Sequence, residues 1–116
     1  MKVENWENLK LIEERPGVYH KRTYGDAVQI QYLIFDPDGE VAKLHNHPKN
    51  EQFFIVETGE WMITVGDEKK KIAPGDIVHI PAGVFHTIEL LSNETSKCLE
   101  VFCPPLKADM KADGLI

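Results

Sequence analysis

The stretch "KLHNHPKNEQFFIVETGE", Lys43 to Glu60, carries two histidines one residue apart, an acid and an amide side by side, and then an apolar run ending in Thr58-Gly59. On an extended strand residues i and i+2 share a face, so His45 and His47 point the same way. The same parity puts Gln52, Phe54 and Val56 on one face, with Phe53 and Ile55 on the other. The run therefore reads as two strands joined by the "PKN" turn, with a pair of imidazoles against an apolar wall. His86, in "PAGVFH", supplies a third strand-borne histidine. Three imidazoles with no thiolate pair nearby suit a first-row divalent ion such as Ni, Zn, Mn, Fe or Co.

The rest of the chain repeats the same rhythm. Short apolar runs, "AVQIQYLIF", "EVAKLHNH", "QFFIVE", "EWMITVG", "KKIA", "DIVHI", "HTIELL" and "KCLEVF", alternate with turns such as "DPDGE", "TGE", "GDE", "APGD" and "LSNE". Clustered Gly, Pro, Asn and Asp between short strands predict an all-β barrel or sandwich. Asn5 to Glu14 is the one stretch suited to a short helix, and the polar tail after "CPP" is expected to pack loosely. With 116 residues the chain has room for one core. The reading divides it into an N-terminal segment (1–26) that contributes to a dimer interface, a barrel (27–105) and a C-terminal tail (106–116). Several strands are apolar on both faces, which predicts a covered outer face and hence a homodimer.

A net charge of −6 argues against nucleic-acid binding, which needs a basic face. The opening "MKVENWENLKLIEER" is too charged for a leader or a membrane span, so a cytoplasmic protein is expected. In a reducing compartment Cys98 and Cys103 are expected to be free thiols, and their odd separation on one strand turns them to opposite faces.

Two spacings carry a resemblance. Five residues separate Gly39 from His45; His47 follows, then an acid or amide position and, after six intervening residues, a glycine. Five residues separate Gly75 from Pro81; Gly83 follows, then two residues and His86. Together these resemble the paired motifs of the cupin superfamily, although the asparagine that often follows the last histidine is Leu90 here. The resemblance implies a jelly-roll β-barrel holding one divalent transition metal ion. Counting back from Gly59 reaches Gln52, which makes Gln52 the expected fourth ligand with His45, His47 and His86. Glu51 stands as the alternative, because carboxylates are the commoner ligands. Four neutral ligands would leave the ion its full charge, which favours an anionic small-molecule substrate.

A narrower similarity links "GVYHKRTYGD", the His-His-Gln-His set and "LEVFCPP" to the small cupins of pectin degradation, which convert unsaturated uronates to open-chain keto sugars. That resemblance implies a glutamine ligand at Gln52, an acid at Glu100 and a phenylalanine at Phe102. Glu100 is then the expected general acid or base. Phe102, Lys43 (by parity with the histidines) and His79 are the expected substrate contacts. The family's arginine after the double proline is replaced by Leu106, with Lys107 next, so Lys107 or Lys43 would have to serve. Three functions stand open: a lyase or isomerase acting on a sugar acid, an Fe(II)-dependent dioxygenase, and a non-catalytic sugar or effector binder.

Overall fold

The computed structural model describes residues 1–116. Nine strands follow one another: β1 (Ile12–Arg15), β2 (Val18–Tyr24), β3 (Gln29–Phe35), β4 (Glu51–Val56), β5 (Trp61–Val65), β6 (Glu68–Ile72), β7 (Ile77–Ile80), β8 (His86–Leu90) and β9 (Ser96–Cys103). One short helix, α1 (Lys107–Ala112), ends the chain. The strands form two sheets, ordered β1-β2-β3-β9-β4-β7 and β6-β5-β8, with every paired neighbour antiparallel. This is the expected all-β jelly roll. No helix is long and apolar enough to cross a membrane.

The inner faces change character along their length. On β3, Phe35 and Leu33 give way to Gln31 and Gln29; on β4, Val56 and Phe54 give way to Gln52. β9 runs from Cys98 to Glu100 and Phe102, and β8 from Leu90 and Ile88 to His86. Between β3 and β9 the register sets Leu33 opposite Cys98 and Gln31 opposite Glu100, while between β4 and β9 Phe54 faces Glu100 and Gln52 faces Phe102. One end of the barrel is therefore an apolar core. Trp61 is its centre, edge-on to Phe35 at 5.6 Å and to Phe54 at 5.8 Å. Truncating such a side chain typically costs about 3–5 kcal/mol. The other end is a buried polar chamber, whose polar groups must find partners.

Two motif glycines have steric reasons. Gly59 has φ +80°, and a Cβ there would stand 2.3 Å from Ser96 Oγ. A Cβ at Gly39 would stand 2.7 Å from the Phe35 ring. Each lets a loop close against the core end.

Three expectations need correction. "EVAKLHNH" is not a strand: His45 makes a single bridge with His86, through His45 N–H to His86 O at 3.2 Å and His86 N–H to His45 O at 2.8 Å. The ladder stops there because Asn46 and His47 bond to Gly83 instead, and Pro48 has no N–H to offer. The Asn5–Glu14 stretch forms only a 3-10 turn, Trp6–Asn8, because Ile12 onward pairs with β2. The tail is not loose. It carries α1, and Asp113 bonds Arg22 at 3.0 Å, from a position 91 residues away.

Candidate metal centre

His45 and His86 are held opposite each other by their shared backbone bridge. His47 is fixed through its carbonyl, which accepts from Gly83 N–H at 2.9 Å. The Pro81–Gly83 turn thus ties the first histidine pair to the third. The ring centroids lie 4.5 Å (His45–His86), 5.2 Å (His47–His86) and 5.4 Å (His45–His47) apart. One ring nitrogen from each comes within 4.8 Å of the others, close enough to share one ion.

Hydrogen bonds set the tautomers. His45 Nδ1 lies 2.8 Å from Lys43 O, and His86 Nδ1 lies 2.9 Å from Val84 O. A carbonyl can only accept, so both Nδ1 atoms carry a proton, which in the neutral ring leaves the lone pair on Nε2. His86 Nε2 is buried and has no partner. Burial, reinforced by the neighbouring imidazoles, pushes His47 down to about 4. Burial also lowers His86. Neutral rings are what metal ligation requires.

Gln52 faces the same cavity, which is also lined by Glu100, His20 and Phe102 and holds about 170 Å³. Its Nε2 donates to Glu100 Oε2 at 2.6 Å, whereas its Oε1 is buried without a partner. An orphaned buried carbonyl typically costs about 1–3 kcal/mol. A cation beside it would remove that cost. Three neutral imidazole nitrogens and one amide oxygen suit a first-row divalent ion, so the residues present fit the expected group. Glu51 lies on the opposite face, exposed, with its Oε1 2.6 Å from His79 Nε2. Phe102 is buried and edge-on to His47 at 5.4 Å.

Two expected substrate contacts do not reach the cavity. His79 pairs with Phe53 across β7 and β4, so it shares the outward face and stacks on Phe53 at 5.0 Å. Lys43 is exposed, and the strand on which its parity with the histidines rested does not exist; its carbonyl, not its amine, serves the site by orienting His45. Conversely, Gln31, His20, Arg15 and Asp109 line the cavity and are not among the expected site residues. The strand parity of "QIQYLIF" held a signal for Gln31, since Gln29 and Gln31 share the face of Leu33 and Phe35. No sequence signal pointed to Asp109, which arrives from α1. Leu106 lines the cavity, and Arg15 is its one Lys or Arg side chain.

A family model described as "Cupin domain" matches residues 31–102, well over half of the chain. The chain is a cupin. It is 42% identical over 59 residues to an uncharacterised protein of Streptomyces coelicolor, covering 51% of this chain and 54% of that protein. It is 30% identical over 103 residues to the acireductone dioxygenase of Sulfurihydrogenibium sp., covering 84% of this cupin and 55% of the relative. The chain thus spans about half the length of both relatives. Among solved structures, KdgF from Halomonas sp. superposes with a TM-score of 0.81 at 22% identity, over 89% of this chain and 93% of that one. At that identity the likeness speaks for the jelly-roll fold.

Proposed function

We propose that this cupin is a metal-dependent enzyme of the lyase or isomerase type, acting on a uronate or a related sugar acid. One divalent transition metal ion would be held by His45, His47, His86 and Gln52. The observation that carries the reading is the convergence of neutral imidazoles with free Nε2 atoms and an unsatisfied Gln52 carbonyl on one cavity. Bound there by neutral ligands, the ion supplies an undiminished positive centre that attracts and polarises anionic oxygen. Arg15, at the cavity wall with its Nε bonded to Glu40 O, would have to turn its two terminal nitrogens to the substrate's carboxylate, a contact that Leu106 does not provide. Glu100 faces the cavity with His20 Nε2 3.7 Å from its Oε1, and the pair can hold and pass a proton at the sugar. Phe102 closes the floor and keeps water from that end. The motif resemblance to uronate-converting cupins supports the substrate class.

Metal-loaded protein incubated with an unsaturated uronate is expected to accelerate loss of the enol-ether absorbance. A rate equal to the spontaneous one removes this reading. The similarity to an acireductone dioxygenase favours a second, Fe(II)-dependent dioxygenation, for which oxygen uptake in the presence of Fe(II) is the discriminating signal. Sugar-acid binding without turnover in either assay would leave the sensor reading. The outer face of the larger sheet, with Phe53, Ile77, Leu99 and Val101, is proposed to be covered by a second copy of the chain.

A further inference from the structure

Resting on Gln52 as a metal ligand, we propose that Glu100 is a positioning residue that fixes which end of the Gln52 amide faces the ion, and that Gln31 and Gln29 hold Glu100 in place for it. A primary amide has a donor end and an acceptor end of nearly equal size, so packing alone does not choose between them. A chain of hydrogen bonds does. Leu106 N–H donates to Gln29 Oε1 at 2.9 Å, and a backbone N–H cannot reverse its role. Gln29 must therefore turn its Nε2 the other way, where it donates to Gln31 Oε1 at 3.0 Å and to Asp109 Oδ2 at 2.8 Å. Gln31 Nε2 then faces Glu100 Oε1 at 3.1 Å. Glu100 has a second acceptor, Oε2, which takes Gln52 Nε2 at 2.6 Å. What remains of Gln52 is its carbonyl oxygen, buried and unpartnered on the cavity of the three histidines.

All four side chains are nearly or fully buried, Gln29 and Gln31 at 0% and 3% exposure, Gln52 at 3% and Glu100 at 8%. Water therefore has little chance to repair a mismatched link, and a single reversed amide leaves two donors or two acceptors facing each other. The bonded chain runs from the start of α1 to the metal centre, with Glu100 as the acceptor on which both of its arms end. The C-terminal helix is in this sense part of the site, although no ring or carboxylate of the helix would touch the ion.

Glu100→Gln tests the idea because it keeps shape and removes one acceptor. The new amide can accept from Gln31 or from Gln52, not from both. If it keeps Gln31, it presents its own NH2 to Gln52, which must turn its oxygen away from the ion. Ni(II) titrated into the metal-free full chain gives the readout, with the apo melting temperature as the fold control. Gln52→Ala and Glu100→Gln are each expected to weaken Ni(II) about 10-fold to 100-fold. The double variant Gln52→Glu with Glu100→Gln re-matches every donor and acceptor, since the new carboxylate accepts from the new amide and keeps an oxygen for the ion. It is expected to recover affinity to within about threefold of the natural chain or better, the added charge helping. Weakening by Gln52→Ala but not by Glu100→Gln overturns the positioning role and leaves the metal centre standing. Failure of Gln52→Ala to weaken Ni(II) removes Gln52 from the donor set and the positioning role with it. Loss in Glu100→Gln without recovery in the double variant also overturns the proposal, because the charge of Glu100 and not its polarity would then matter. Should Glu100→Gln fail to fold, the double variant decides alone, with recovery supporting the proposal and a tenfold loss overturning it.

Discussion

Glu14 illustrates how one residue couples the chamber to acidity. The His20 ring beside it, together with the Arg22 guanidinium, holds its carboxyl down to about 2, against an ordinary value of 4.5. Between those two values the unfolded chain takes up a proton that the folded chain refuses, so stability falls as the pH falls. Above pH 4.5 the contribution is fully present. Because Glu14 is partly exposed, it amounts to on the order of 1 kcal/mol. Denaturant midpoints of the metal-free protein should therefore drop more steeply from pH 5 to pH 2 than those of Glu14→Gln; parallel curves would contradict the assignment. At this scale the sequence was legible where strand parity held. Gln52 lies inward and Glu51 outward, as the alternation in "EQFFIV" requires. His79 was not legible, because the turn at Pro81–Gly83 breaks the count and only the pairing of β7 with β4 reveals its face. Parity fails for Lys43, because its segment is not a strand.

Among the elements, α1 is joined to the β1–β2 ladder chiefly by charge. The Arg22 side chain is 3% exposed and meets Glu14, Asp113 at 3.0 Å and Asp109 at 3.4 Å. No residue of α1 is buried, so these contacts, with the Gln29 bonds, hold the helix. Arg22→Met strands three carboxylates around an apolar side chain and is expected to cost about 3 kcal/mol. Urea unfolding measures this, and an unchanged midpoint would contradict it. Amide exchange of Met110 and Asp113, whose N–H groups bond within α1, should quicken in the same variant. The strands themselves were largely legible from alternation and turn residues. The helix was not, since Arg22, Asp109 and Asp113 become neighbours only after the barrel closes. The same holds for Asn5–Glu14, where pairing of Ile12 with His20 overrides local helix preference.

On the scale of the whole molecule, the two faces of the larger sheet have different fates. The inner face packs the core and the chamber. The outer face keeps Phe53 38% and Ile77 66% exposed. The N-terminal segment covers only part of it, with Trp6 against Tyr32 at 4.4 Å. Apolar surface left open in this way supports the proposed pairing with a second copy. Light scattering at micromolar concentration should give twice the chain mass, and Phe53→Lys with Ile77→Glu should halve it without loss of metal. A monomeric mass for the natural chain would contradict the dimer. The paired motifs from Gly39 to His86 made the architecture readable because each fixes a turn or an inward side chain. They said nothing of the outer face, which has no such geometric constraint.

Three imidazoles and the Gln52 amide are proposed to hold one ion. X-ray absorption on the zinc-loaded full chain tests this most directly. The predicted result is one zinc per chain, with three imidazole nitrogens and at least one oxygen at about 2.0–2.2 Å, the oxygen shell altered in Gln52→Ala. Zinc lost on dialysis, or a shell with fewer than three imidazoles, would contradict the account.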